Sequence, residues 1–302
     1  MDQLQNQVFK KKENGIRTDR RVHAGLYEEV ISLETNKIYL MDCIEGMKEK
    51  VDEKSIDVII TSPPYNIGVK YNSHKDSMPF FRYLDWMEEF GRACARVLKN
   101  DGSLFFNIGD KASDEFRAFQ VAERISKSLR LQNTIHWIKS VAVPELDINI
   151  GHYKPVNSTR FLNNLHEYVF HFTKTKVVKV DKLSIGVPYA DKTNIGRWKH
   201  GSRNGDKRDR GNVWYIPYDT VRSEKEHPAA FPKKLPEMCI KLHGLRKDLI
   251  VLDPFLGSGT TCVVARELGC KYVGFENDKK YFRMVLAKLS QKKLANITVS
   301  RC

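Results

Sequence analysis

The sequence predicts an α/β protein whose sheet is covered by helices on both faces. Ile56–Thr61 (IDVIIT) is an unbroken run of mostly β-branched residues, as a strand buried on both faces of a parallel sheet requires. Phe80–Lys99 repeats apolar side chains at helical spacing, at Phe80, Leu84, Met87, Phe90, Cys94 and Val97. From Leu249 onward short apolar runs alternate with helical ones. Strands alternating with helices make a parallel sheet covered on both sides, and ligands bind beyond the carboxyl ends of its strands.

The elements follow in order. Residues 1–30 read as a basic N-terminal arm, with Lys10-Lys11-Lys12, Arg17, Arg20 and Arg21. A solvated arm is the preferred reading over a phosphate-contacting one, because termini are often mobile. Ile38–Met41 is a short strand ending at Asp42, and Ile44–Lys50 is one or two helical turns. Strand Ile56–Thr61 stops at Pro63-Pro64, which continues neither a helix nor a central strand. Asn66–Met78 is polar and aperiodic, a mobile loop by its pattern. After helix Phe80–Lys99, Asn100-Asp101-Gly102 turns the chain into strand Ser103–Ile108. Helix Asp114–Leu129 follows, with Ser113 as its cap, then strands Thr134–Ile138 and His166–Phe172. Between Lys174 and Gly211 the pattern dissolves into Lys192, Arg197, Lys199, Arg203, Lys207, Arg208 and Arg210, interleaved with Gly, Asn and Trp198. Order returns at Val213–Pro217. Helix Lys233–Leu242, strand Leu249–Leu252, a glycine loop, helix Thr260–Leu268, strand Tyr272–Phe275 and helix Lys280–Lys288 complete the chain.

Composition narrows the partners. The 302 residues carry a net charge of +14, with 41% hydrophobic and 29% charged residues. Such an excess favours a polyanion, nucleic acid before an anionic membrane; a Lys-rich surface kept for solubility is the alternative. No stretch approaches the roughly 20 apolar residues that span a bilayer, and Met1–Lys12 lacks the apolar core of a signal peptide. Cys43, Cys94, Cys239, Cys262, Cys270 and Cys302 are scattered without a Cys-x-x-Cys pair. Reduced thiols in a cytoplasm are expected, with neither structural zinc nor a disulfide scaffold.

Two segments carry chemistry. Asp253–Thr260 (DPFLGSGT) leads from a strand into a helix, and Gly257 and Gly259 let the backbone turn tightly against a ligand. The next strand ends in Glu276, placed to accept hydrogen bonds from a ribose diol. A plain tight turn and a surface acid are the bland alternatives. No Lys-Ser/Thr pair follows the loop, so it is not a phosphate-binding P-loop. The other segment is Thr61-Ser62-Pro63-Pro64-Tyr65, which alone is only a proline turn.

Together, an S-P-P-Y loop and a D-P-F-x-G-S-G-T loop resemble the DNA amino-methyltransferases over roughly Lys37–Leu289. The S-P-P-Y loop comes about 190 residues first, with the basic segment between, which resembles the beta group of that family. The resemblance implies a circularly permuted, Rossmann-like S-adenosylmethionine-dependent methyltransferase fold, a mixed sheet with helices on both faces. It divides the chain into a catalytic half (31–175), a basic insertion for target recognition (176–211) and a cofactor-binding half (212–302). It implies S-adenosylmethionine as cofactor, S-adenosylhomocysteine as product and no metal. Double-stranded DNA would be the substrate, and a cognate restriction endonuclease a functional partner. A homodimer and a nucleoid-associated prokaryotic location also follow from it.

The resemblance also assigns roles. Ser62 and the Pro63 carbonyl would accept the two N–H groups of an exocyclic amine, drawing its nitrogen toward tetrahedral geometry and localising its lone pair. Pro63 and Pro64 hold that carbonyl rigidly, and Tyr65 offers a face to an extruded base. The methyl then passes in line, with no covalent enzyme intermediate. Cofactor contacts fall on Asp42, Cys43, Thr61, Ser62, His227, Phe231, Asp253, Pro254, Phe255, Gly257, Ser258, Gly259, Thr260, Glu276 and Asn277. Asp42 would meet the adenine amino group, with a helix cap as the alternative. His227–Pro232 would line the methionine end, His227 without an acid–base role. Lys192, Arg197, Lys199, Arg203, Lys207, Arg208 and Arg210 would contact DNA, the alternative being a disordered loop serving only electrostatics. Serine before Pro-Pro, and HPAAFP at 227–232, resemble the cytosine-N4 members; Asn66 after the tyrosine is frequent among the adenine-N6 members. The rivals are an adenine-N6 enzyme, a non-catalytic DNA-binding subunit with this fold, and an RNA methyltransferase, which the loop order disfavours.

Overall fold

The run Ile56–Thr61 lies inside a sheet of eight strands. The computed structural model describes residues 19–23, 26–30, 33–68, 76–114, 116–152, 155–175, 177–191, 206–217 and 230–290, the backbone alone for the first two stretches. In chain order the elements are β1 (Asp19–His23), β2 (Leu26–Val30), β3 (Lys37–Leu40), α1 (Cys43–Lys50), β4 (Ile56–Thr61), α2 (Phe80–Val97) and β5 (Leu98–Ile108). Then come α3 (Arg117–Ser126), β6 (Arg130–Ile138), β7 (Ser140–Val143), β8 (Ile148–Gly151), β9 (His166–Thr173), β10 (Val187–Pro188) and β11 (Lys207–Arg208). β12 (Val213–Tyr215), α4 (Lys234–Gly244), β13 (Ile250–Asp253), α5 (Thr260–Glu267), β14 (Lys271–Glu276) and α6 (Lys279–Ser290) follow.

The large sheet has the order β12-β6-β9-β5-β4-β13-β14-β3. Every pairing is parallel except those of β9, which runs antiparallel to both β5 and β6. The sheet is therefore mixed, not wholly parallel. Strand β4 is buried along its whole length because both faces are covered. On one face Ile59, Phe106 and Phe170 pack with Met47, Met87, Phe90 and Ile125 of α1, α2 and α3. On the other, Val58, Ile60 and Phe105 pack with Met238, Ile240, Cys262, Val264 and Val285 of α4, α5 and α6. Each such side chain contributes about 1.5–3 kcal/mol on burial. Cys43, Cys94, Cys239, Cys262 and Cys270 are buried, unpaired thiols. Among the described residues no helix is long and apolar enough to cross a membrane.

Three local expectations need correction. Part of the N-terminal arm is an antiparallel ribbon, β1 paired with β2. Strand β5 begins at Leu98, and Asn100-Asp101-Gly102 is a bulge within it, where the register jumps from Ile56↔Leu98 to Val58↔Ser103. Helix α3 starts at Arg117 and Ser113 does not cap it; Asp110 accepts the Ala118 N–H at 2.7 Å instead. A second antiparallel ribbon, β7–β8, joins β6 to β9.

The two rims of the sheet differ in kind. At the start of β4, Asp57 accepts from the Ile250 N–H and from Lys99 at 2.8 Å each, and pairs with Arg246. Nearby, Ser103 Oγ lies 3.0 Å from both His171 Nε2 and His243 Nδ1. Burial holds those histidines down to about 3 and about 4, so they are neutral structural partners. The opposite rim collects Asp42, Glu276, Asp253, Ser62 and Asn107 from the carboxyl ends of β3, β14, β13, β4 and β5. Because β9 is reversed, its entry residue Glu167 reaches the same rim, beside Lys139 at the exit of β6.

Candidate active site

Adjacent strands bring the two sequence segments together. Thr61 ends β4 and Asp253 ends β13, and the Thr61 hydroxyl donates to Asp253 Oδ1 at 2.7 Å across 192 residues of chain. The Phe255 N–H reaches both Thr61 Oγ1 and Asp253 Oδ1 at 3.2 Å. Asp253 is thus a buried brace between the S-P-P-Y loop and the glycine loop. Burial, the largest influence, pushes its carboxyl up to about 7; hydrogen bonds from Thr61, Thr261 and Phe255 oppose the rise and the Glu276 charge adds to it.

That shift sets a pH test. A folded-state pKa above the unfolded value of 3.8 stabilises the fold at low pH, and the contribution is lost as pH rises through about 7. Asp253→Asn has no such slope, at about 1.4 kcal/mol per pH unit. Its stability deficit relative to wild type is expected to shrink between pH 5 and pH 7 and stay level above. Thermal melts of both proteins across that range check this, and parallel curves would contradict it.

The glycine loop is shaped for a ligand with hydroxyl and amino groups. Gly259 has φ +76°, and a Cβ there would meet Val285 Cγ1 at 2.5 Å, so only glycine fits. The Gly257 N–H donates to Glu276 Oε2 and the Asp278 N–H to Glu276 Oε1, each at 2.8 Å. Two oxygens with one N–H each retain acceptor capacity. Burial raises the Glu276 carboxyl above its ordinary value, against the pull of those backbone bonds. Asp42 is the cap of α1, its Oδ1 accepting from Ile44 N at 2.8 Å and Glu45 N at 3.1 Å. Phe255 packs on Trp86 and Phe90, with ring centroids 5.5 and 5.3 Å away. This acceptor-rich donor set with an aromatic wall fits the nucleoside part of S-adenosylmethionine.

Other expected cofactor residues are placed variously. Cys43 is buried in the core beside Met47, which leaves its backbone rather than its thiol to the rim. Pro254 is buried, Ser258 Oγ lies 2.9 Å from Thr260 Oγ1, and Asn277 is exposed. Phe231 is partly buried against the core on the α4 side of the sheet, while His227 lies outside the described residues.

Across the brace stands the S-P-P-Y loop. The Pro64 carbonyl accepts the Tyr83 hydroxyl at 2.8 Å, which leaves the Pro63 carbonyl as the one without a described donor. Ser62 Oγ is 2.9 Å from Tyr65 Oη. Tyr65 Oη donates to Glu167 Oε2 at 2.9 Å. Asn107 Nδ2 reaches Tyr65 Oη at 2.7 Å, Glu167 Oε2 at 2.8 Å and Ser62 Oγ at 3.4 Å. Lys139 Nζ holds Glu167 Oε1 at 3.0 Å. Asn107 Oδ1 is buried without a partner; such a group costs about 1–3 kcal/mol, which the three donor contacts offset.

Asn66 has a structural task. It sits at φ +56°, which asparagine tolerates, and its side chain bonds both the N–H and the carbonyl of Met78. Asp76 accepts the N–H groups of Asn66 and Ile67 at 2.6 and 3.1 Å. These bonds close the base of the loop expected to be mobile, of which residues 69–75 lie outside the description.

A DNA methylase family model, that of the N6/N4 methylases, matches residues 56–288. The chain belongs to this family. It is 31% identical to the type II methyltransferase M.BglII of Bacillus subtilis over 270 residues, 84% of this chain and 69% of that one. The fold of the PvuII DNA methyltransferase, named cytosine-N4-specific, superposes with a TM-score of 0.64 at 22% identity, covering 87% of this chain and 89% of that one. M1.HpyAVI in complex with S-adenosylmethionine superposes at 0.54 and 22% identity, covering 84% and 99%. The chain is therefore a DNA methylase of the N6/N4 amino-methyltransferase family, with the α/β fold those structures share.

The methylase's basic segment is described in part. Leaving β9 at the far rim, Asp181 N bonds the Leu242 carbonyl at 2.7 Å and Ser184 Oγ bonds that of Lys241 at 2.7 Å, both near the end of α4. Arg210 Nε bonds the Ile185 carbonyl at 2.9 Å, so Arg210 is a staple. Lys207 and Arg208 are exposed on β11, paired with β10. Lys192, Arg197, Lys199 and Arg203 lie outside the described residues. Sequence reading missed Asn107, Lys139 and Glu167. The available signal was a polar side chain closing or opening an otherwise apolar strand.

Proposed function

We propose that this methylase modifies the N4 amino group of cytosine at a specific site in double-stranded DNA. The observation that carries the reading is the Thr61–Asp253 bond, which sets Ser62 and the glycine loop side by side on neighbouring strands. Bound S-adenosylmethionine supplies an electrophilic methyl group. Ser62 Oγ and the Pro63 carbonyl accept the two amino N–H bonds and leave the nitrogen lone pair facing the glycine loop. The Tyr65 ring, held at its hydroxyl, offers a fixed face to the extruded base. Asp42 and Glu276 orient the nucleoside, and Phe255 shelters its face. The remaining basic residues of 176–211 neutralise phosphates.

Support for cytosine comes from Ser62 itself and from Asn66. The adenine-like feature of the sequence is a loop clamp, its side chain bonded to the N–H and the carbonyl of Met78. A cognate restriction endonuclease, a homodimer and a place on the nucleoid belong to the same reading. Digestion of DNA methylated by the protein, with nucleosides identified by mass, tests the reading. N4-methylcytosine is expected, and N6-methyladenine would overturn the choice of base. Sequencing the same DNA gives the site.

A further inference from the structure

We propose that Glu167 fixes the direction of the hydrogen-bond chain ending at Ser62, so that the Ser62 hydroxyl turns lone pairs rather than its proton toward the target amine. The inference rests on the reading above that Ser62 accepts an amino N–H.

The direction follows from counting protons. A glutamate paired with lysine only accepts, and the Lys139–Glu167 pair is sheltered, the two side chains being 14% and 12% exposed. Tyr65 has one hydroxyl proton, and it goes to Glu167 Oε2. Tyr65 Oη can then only accept from its other neighbours. Toward Asn107 Nδ2 at 2.7 Å and Ser62 at 2.9 Å it is therefore the acceptor, and the single Ser62 proton is thereby committed. The two short contacts of Asn107 Nδ2 use its two hydrogens, so its 3.4 Å approach to Ser62 Oγ is secondary. The Ser62 lone pairs are left to the substrate. Without a fixed acceptor at the far end, hydroxyl chains can reverse, and a reversed chain would place the Tyr65 proton on Ser62 Oγ. Gly109 keeps the link intact, since a Cβ there would come within 3.2 Å of both the Tyr65 ring and Glu167 Cγ. Glu167 is accordingly a positioning residue.

Glu167→Gln tests this. Lys139 favours the glutamine carbonyl on its own side, which turns the amide NH2 toward Tyr65 and reverses the chain. A ten- to hundredfold loss in kcat is expected, with cofactor affinity and the KM for DNA within about twofold. An unchanged Glu167→Gln, or one in which the KM for DNA rises as kcat falls, would overturn the proposal. If Ser62→Ala also turns over normally, the amino-acceptor reading fails first; if Ser62→Ala is inactive while Glu167→Gln is not, only the role of Glu167 falls.

Should Glu167→Gln not fold, neutron diffraction from the wild-type protein in D2O replaces it. The Tyr65 deuteron is expected on the line to Glu167 Oε2 and the Ser62 deuteron on the line to Tyr65 Oη. A Tyr65 deuteron directed at Ser62 Oγ would overturn the proposal.

Discussion

Ser62→Ala is expected to lower kcat about 10²–10³-fold, the loss produced when one preorganised hydrogen-bonding group is removed from a reaction centre. Cofactor affinity should stay within about twofold, because the described contacts of the side chain lie outside the cofactor loop. Its hydroxyl meets Tyr65 and Asn107, whereas the contact with the glycine loop is made by the neighbouring Thr61 through Asp253. The base platform should survive too. Tyr65 Oη keeps its bonds to Asn107 at 2.7 Å and to Glu167 at 2.9 Å, so the ring stays where it is. The variant therefore separates binding from chemistry: DNA and cofactor bind, and the amine arrives without its first acceptor. Single-turnover transfer of a labelled methyl group, beside calorimetric titration with S-adenosylhomocysteine, measures both. Turnover close to wild type would show that Ser62 does not hold the amino group.

What the sequence made legible and what it hid have physical causes. Strand β4 was readable because a strand covered on both faces must be apolar along its length, and Ile56–Thr61 is. The glycine loop was readable because its backbone geometry admits few residues, as Gly259 illustrates. Asn100-Asp101-Gly102 misled because its turn chemistry is satisfied inside β5, where a bulge absorbs it while Leu98 still pairs with Ile56. Glu167 could not be found by spacing. It lies 102 residues from Tyr65 and 60 from Asn107, and it reaches them only because β9 inserts backwards between β5 and β6. The same reversal makes the chain leave β9 at the far rim, where Asp181 and Ser184 bond the end of α4. Local chemistry is written locally; the constellation across four strands is a property of topology.

Glu276→Ala should act on the other half of the site, weakening cofactor binding about 10²–10³-fold through the loss of charge-assisted hydrogen bonds worth about 1.5–3 kcal/mol each. Glu276 has two tasks at once. Its carboxylate fixes the glycine loop through the Gly257 N–H and the entry to α6 through the Asp278 N–H, and it keeps acceptor capacity for a ribose diol. Glutamine cannot substitute, since its NH2 would face one of those two backbone N–H groups, donor against donor. At saturating cofactor, kcat should remain within about threefold of wild type, because Asp253 and Thr61 stand between Glu276 and Ser62. A cofactor analogue lacking the 2′-hydroxyl separates the two tasks. Wild type should bind 2′-deoxy-S-adenosylhomocysteine more weakly than the parent compound, and Glu276→Ala should bind both alike. A preference for the parent that persists in Glu276→Ala would assign the diol to another residue and leave Glu276 as a brace for the glycine loop.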